Sequence, residues 1–193
     1  MIIGVMGGVG SGKSTVLNYL ENNYEANIIE ADKVAKEVML PGNDVYNEIV
    51  KTFPEVIADN KIDSKKLAEI VFNNKEQLEK LNSITHPGAV KEIVSRIKSS
   101  KNRIIVVESA ILLGSGVEQY CDELWFVFCN RDTRIKRLIQ TRGYSKEKCI
   151  SVIESQPADE EYNKVADEFI DNSYSEENTR EQIDVILNTS ACI

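Results

Sequence analysis

Long apolar runs are missing from this sequence. No stretch reaches the roughly 18 consecutive apolar residues that carry a helix across a bilayer, so no membrane span is expected. Met1 runs straight into a short apolar segment with no basic region ahead of it, unlike a secretory leader, and a cytoplasmic protein is the expectation. Basic charge is also short. With 23 Lys and Arg against 31 Asp and Glu, the formal net charge is −8, which excludes a global basic field for nucleic acid. The four cysteines (121, 129, 149 and 192) match no zinc spacing, and a cytosolic chain of this size does not need disulfides. Cys121 and Cys129 flank an apolar run and read as core packing. Repeats and low-complexity segments are absent. What remains, 193 residues at 42% hydrophobic and 28% charged, suits one soluble globular domain with a proper core.

The most informative stretch is the first sixteen residues. The apolar run Met1-Ile2-Ile3-Gly4-Val5-Met6 leads directly into Gly7-Gly8-Val9-Gly10-Ser11-Gly12-Lys13-Ser14-Thr15. Gly7, Gly12, Lys13 and Ser14 fit the pattern G-x-x-x-x-G-K-[ST]. Phosphate chemistry needs these residue types. Glycines at 8, 10 and 12 let the chain turn tightly, so that backbone N–H groups from 10 to 15 converge on phosphate oxygens. Lys13 supplies a mobile charge for the β- and γ-phosphates, and the Ser14 hydroxyl can ligate Mg²⁺. Val16-Leu17-Asn18-Tyr19-Leu20 reads as a helix beginning at Thr15, whose N-terminal partial charge faces the same anion. A strand before and a helix after are the context the pattern requires. This region binds a nucleoside triphosphate.

Further on, Asn27-Ile28-Ile29-Glu30 reads as a strand ending at Ala31-Asp32, followed by a helix over Val34-Ala35-Lys36-Glu37-Val38 that stops before Pro41-Gly42. From about 43 to 100 the apolar residues keep helical spacing, with no convincing buried strand, which predicts an inserted helical lobe. Ile104-Ile105-Val106-Val107-Glu108 and Leu124-Trp125-Phe126-Val127-Phe128 read as strands buried on both faces. Helices are predicted over 133–140, 145–154 and 177–187, with a last short strand at Phe169-Ile170-Asp171. The alternation predicts an α/β fold of the three-layer P-loop NTPase type, a parallel sheet with helices on both faces. Between Arg131 and Lys148 seven bases stand against Asp132 and Glu147. They read either as a solvated helix face or as a lid, from about 133 to 156, whose arginines close over transferring phosphates. With a phosphate loop in hand the lid is preferred.

Two uses of the triphosphate compete. A GTP-dependent switch needs N-K-x-D, and Asn60-Lys61-Ile62-Asp63 spells it, but within the predicted helical lobe rather than at the end of a late strand. No D-x-x-G accompanies it, so Asn60-Lys61 reads as a turn. A small-molecule kinase needs a carboxylate near the loop. A strand pairing beside the first would place Asp32 at its C-terminal end, facing the γ-phosphate, where it could take a proton from an acceptor hydroxyl. Asp32 is equally suited to cap the helix that follows.

Several of these stretches together resemble the bacterial dephospho-CoA kinase family over nearly the whole chain. The likeness is carried by Gly4 to Val16, by Glu30-Ala31-Asp32, by Ile62-Asp63 with Leu67-Ala68-Glu69-Ile70-Val71-Phe72, and by Leu81-Asn82-Ser83-Ile84-Thr85-His86-Pro87. Gln156 and Ala166-Asp167…Ile170-Asp171-Asn172 extend it toward the end. The resemblance implies ATP-dependent phosphorylation of the 3′-hydroxyl of dephospho-CoA, with Mg²⁺. It implies Asp32 as base and Lys13, Arg137 and Arg142 on the moving phosphoryl. It further implies Gly8, Gly10, Ser11, Gly12, Lys13, Ser14, Thr15 and Asn172 at the nucleotide, Ser14 and Glu108 at the metal, and a lobe over about 41–100 that receives the acceptor. A lone histidine is ordinarily a surface or satisfied core residue; within Thr85-His86-Pro87 the resemblance implies that His86 contacts the acceptor or shapes the lobe. This chain departs from the family pattern at Gly114, where a carboxylate is common. Arg142 is displaced by one position in Thr141-Arg142-Gly143, and Val152 and Ser64 replace arginines.

The expectation is therefore a single kinase domain over residues 1–193, acting on a small molecule, with no nucleic-acid or membrane partner and no feature that fixes an oligomeric state. The alternatives are another small-molecule or nucleoside kinase of this architecture, and a degenerate ATP-binding module without turnover.

Overall fold

The apolar run at the N-terminus forms β1 (Ile2–Met6), the middle strand of a five-stranded sheet. In this computed structural model, which describes residues 1–72, 74–109, 112 and 114–190, β1 pairs with β5 (Ile105–Glu108) on one side and β6 (Glu123–Phe128) on the other. β2 (Asn27–Glu30) lies outside β5, and β7 (Glu168–Asp171) lies outside β6. Every pairing in this sheet is parallel.

Both faces of the sheet are buried, and the alternation along each strand divides the apolar residues between two cores. Ile3, Val5, Val106, Trp125 and Val127 pack against Val16, Leu17 and Leu20 of α1 (Lys13–Tyr24) and Ile183 of α9 (Glu176–Ser190). Met6, Ile105, Val107 and Phe126 face the opposite way. They meet Val34 of α2 (Ala31–Glu37), Ile49 of α3 (Asp44–Thr52) and Ile93 of α5 (Lys75–Ser99). Each fully buried aliphatic side chain contributes about 1.5–3 kcal/mol. The expected parallel α/β sheet is thus present, with each predicted strand in place.

Three expectations change. β2 does not pair beside β1, because β5 lies between them. The second helix starts earlier than its apolar spacing suggested, so Asp32 is neither a strand end nor a cap: Glu30 is the N-cap and Asp32 the second residue of α2. The stretch from 41 to 100 holds, besides α3, α4 (Ser64–Phe72) and α5, a short antiparallel hairpin of β3 (Ile57–Ala58) and β4 (Lys61–Ile62). Asp59 and Asn60 turn it with φ of 49° and 58°, a left-handed pair that Asp and Asn tolerate better than most residues. Asn60 is accordingly in a turn, whereas Lys61 is in a strand.

Toward the C-terminus, α6 (Arg131–Arg142), α7 (Lys146–Glu154) and the five-residue α8 (Asp159–Asn163) precede β7. Asn130 and Ser145 cap α6 and α7 by accepting from the N–H groups of Thr133 and Lys148. Cys129 and Cys149 are buried and Cys121 is half-buried, as core packing requires. Cys192 lies outside the described residues, as do Ala110, Ile111 and Leu113 within the stretch after β5.

Candidate active site

β1 is where the strand order reverses, with β5 leaving on one side and β6 on the other. In open parallel sheets, ligands sit in the crevice beyond the carboxyl ends of strands at such a point. The loop from Gly7 to Gly12 fills that position. Gly12 is the N-cap of α1 at φ 87°, and a Cβ there would run into the carboxamide of Asn172. A Cβ on Gly8 would likewise strike the Arg134 guanidinium. No side chain caps α1; the Thr15 N–H donates to the Gly12 carbonyl at 2.9 Å, while those of Lys13 and Ser14 are available to an anion.

A cleft of about 740 Å³ opens over this loop. Gly8, Gly10, Gly12, Lys13, Ser14 and Thr15 line its floor; Asp32 and Glu108 stand on one wall and Arg137 and Arg142 on the other. The structure therefore brings most of the expected residues together. Lys13 Nζ donates to the Gly7 carbonyl at 2.8 Å and lies 3.4 Å from Glu108 Oε1. Burial raises the Glu108 carboxyl above its ordinary value, more than the neighbouring Lys13 ammonium lowers it. Its charged form is thus under-compensated and would gain from a cation. Glu30, Asp32, Glu108 and Glu176 line the cleft with only Lys13, Arg137 and Arg142 as bases. Among the described residues no three acidic side chains stand close enough together to hold a metal alone, so Glu108 and the Ser14 hydroxyl fit a hard divalent ion such as Mg²⁺ only as partial ligands, with the remaining oxygens coming from the triphosphate and water.

Two expected contact residues lie behind the loop instead of in the cleft. Asn172 is 1% exposed. Its Nδ2 donates to the Ser11 carbonyl at 2.7 Å, and its Oδ1 accepts from Thr179 Oγ1 at 2.8 Å. Its carboxamide therefore buttresses the loop from behind. Ser11 is also buried, its Oγ has no partner among the described residues, and its carbonyl accepts from Arg137 Nη1 at 3.2 Å. Arg137 Nη2 donates to the Asn172 carbonyl at 2.9 Å, so this arginine ties the loop to the end of β7 while facing the cleft. Arg142 is exposed on the wall, 6.0 Å from the Tyr144 ring centroid.

Sequence reasoning missed the role of Arg134. Its guanidinium is 5% exposed, donating to the Val9 carbonyl at 2.9 Å, Gln156 Oε1 at 3.2 Å and Asp159 Oδ1 at 3.3 Å. Gln156 Oε1 also accepts from the Val9 N–H at 2.7 Å. Both polar groups of Val9 are thereby held from outside the loop. The signal was present in the sequence: Arg134 shares the i, i+4 face of α6 with the buried Leu138.

A second cavity, of about 300 Å³, lies on the far side of Asp32. Ala31 and Asp32 of α2, Thr85, His86, Ala89 and Ile93 of α5 and the turn after β5 enclose it. His86 is exposed at its edge, halfway along α5, which continues through Pro87. Asp32 lines both cavities.

The family model of dephospho-CoA kinase matches residues 1–178. A dephospho-CoA kinase of Carboxydothermus hydrogenoformans is 42% identical over 191 residues, covering 96% of this chain and 92% of its own. Among solved structures, a Thermus thermophilus protein superposes with a TM-score of 0.82 at 25% identity, covering 98% and 97% of the two chains. A dephospho-CoA kinase of Campylobacter jejuni gives 0.66 at 28% identity, covering 97% and 96%.

Proposed function

Because the chain belongs to the dephospho-CoA kinase family and transfers phosphate from Mg-ATP to a hydroxyl of dephospho-CoA, we propose that Asp32 is the base of that transfer and the 3′-hydroxyl its target. The observation that carries this assignment is the position of Asp32, on the wall of the phosphate-loop cleft and of the second cavity at once. A carboxylate there can accept the proton of a hydroxyl presented from one side as its oxygen attacks a phosphorus presented from the other.

Phosphoryl transfer is mostly positioning and electrostatics. Lys13 and the N–H groups of Lys13 and Ser14 hold the phosphates, and Arg137 and Arg142 neutralise charge on the moving phosphoryl. Ser14 and Glu108 are the residues that would hold Mg²⁺, which when bound would neutralise phosphate charge. Ser11 and Asn172 act through the loop's shape. The stretch 41–100 is read as the acceptor lobe, 133–156 as the lid and the whole as one domain, with His86 at the acceptor. The formal net charge of −8 supports a kinase with no nucleic-acid partner, and a cytoplasmic site of action is proposed with it. Among the described residues no helix is long and apolar enough to cross a membrane.

ADP release from Mg-ATP, compared with dephospho-CoA, shikimate and a free nucleoside as acceptors, tests the reading. Release that depends on dephospho-CoA is expected. Release with another acceptor alone would move the substrate, and ATP binding without turnover on any acceptor would favour a degenerate module.

A further inference from the structure

The cavity beyond Asp32 is large enough for the nucleoside end of an acceptor and too small for the whole of dephospho-CoA, whose 5′ side continues as a diphosphate and a pantetheine arm. That arm has to leave the cavity somewhere. An open groove of about 790 Å³ along the outer face of α5 shares His86, Val90, Gly114 and Ser115 with the cavity, so the two are continuous. Gly114 stands at this shared edge, where a Cβ would have nothing within 4 Å, so the space beside it is open.

The charge lining the groove is of one sign. In a chain carrying 31 acids, no Asp or Glu lines it among the described residues, whereas His86, Lys91 and Lys98 do. Lys91 and Lys98 stand seven residues apart, two helical turns or roughly 10.5 Å, with the apolar Val94 between them. Neither makes an ion pair among the described residues. A basic entrance beside the cavity followed by a mixed apolar and polar channel matches a diphosphate followed by an uncharged, flexible chain.

We propose that this groove docks the diphosphate–pantetheine arm of the acceptor, with Lys91, next to the shared edge at His86 and Val90, meeting the diphosphate. The inference rests on the acceptor reading above and adds a binding subsite to it. Lys91 and Lys98 are specificity residues here, remote from the transferring phosphoryl.

Steady-state kinetics on the full chain tests this with Lys91→Ala and Lys91→Arg. Lys91→Ala should raise the KM for dephospho-CoA about fivefold to tenfold, in a salt-sensitive way, while kcat and the KM for ATP stay within about twofold. Lys91→Arg, which keeps the charge, should restore most of the loss. Adenosine, used as an inhibitor competing with the acceptor, reports the cavity alone and should keep its inhibition constant in all three proteins. An unchanged dephospho-CoA KM in Lys91→Ala, or an adenosine constant that rises in step with it, would overturn the groove assignment. A wild-type protein that does not turn over dephospho-CoA would instead overturn the acceptor reading, and the groove with it.

Discussion

The two cavities that meet at Asp32 are built by opposite means. The nucleotide cleft rests on one unbroken stretch of chain, Gly7 to Thr15, and presents mainly backbone groups. Its precision comes from behind: Arg134, Arg137, Asn172 and Gln156 hold the carbonyls of Val9 and Ser11 and the N–H of Val9. The acceptor cavity has no such stretch. It is gathered from α2, α5 and the turn after β5, positions more than 80 residues apart, and its walls are mainly apolar side chains. A backbone site clamped by buried polar groups should fail sharply when one clamp or one charge is removed. A side-chain cavity should instead change its preference by degrees.

Lys13→Ala strikes the first site most directly and should reduce kcat by about 10²- to 10³-fold, more than any substitution in the stretch 41–100. Near-normal turnover in that variant would mean that the loop is not the phosphate site. Arg134→Ala comes next. It leaves the half-buried Val9 carbonyl without its donor, and Gln156 and Asp159 without their guanidinium partner, costing about 2 kcal/mol, which a thermal melt reads as a Tm drop of about 4–8 °C. The KM for ATP should rise with it while the acceptor KM holds; a melt that does not move would remove Arg134 from the clamp.

The smallest effect is a slope. Burial raises the Glu108 carboxyl, so between its ordinary value of 4.5 and its raised value the folded chain keeps a proton that the unfolded chain has released. Folding stability should therefore fall as pH rises through that window, and Glu108→Gln, which cannot ionise, should lack this component. Denaturant midpoints measured from pH 4 to 7 should shift in favour of the Gln variant as pH increases. The opposite trend would show that Lys13 outweighs burial at this position.

The same contrast explains what could be read in the sequence. The phosphate loop is legible because its function is carried by the chain itself, and glycine marks where side chains would collide with Asn172 and Arg134. The three central strands are legible because burial on both faces leaves uninterrupted apolar runs such as Ile104-Ile105-Val106-Val107. Strand order has no local signal, so the insertion of β5 between β1 and β2 had to come from the structure. Asn172 was expected at the nucleotide, and Arg134 was not singled out among the seven bases, because a buried clamp and an exposed contact look alike in composition; only the neighbouring Leu138 at i+4 marks Arg134 as inward. The hairpin at Asp59-Asn60 was concealed by strands of two residues each, too short for alternation to show. The acceptor cavity was legible only as a resemblance around His86, since its walls come together through tertiary packing alone.

Among the described residues Asp32 is the one carboxylate that lines both cavities, which is the ground for its assignment as the base. Initial rates of Asp32→Asn, with ATP and dephospho-CoA each varied, test it. A fall in kcat of about 10²- to 10⁴-fold with both KM values within a few fold is the predicted result, since the amide keeps the shape of both walls and removes only the proton acceptor. A variant that retains its kcat and loses affinity for one substrate alone would contradict it, and would make Asp32 a wall of that cavity and not the base between the two.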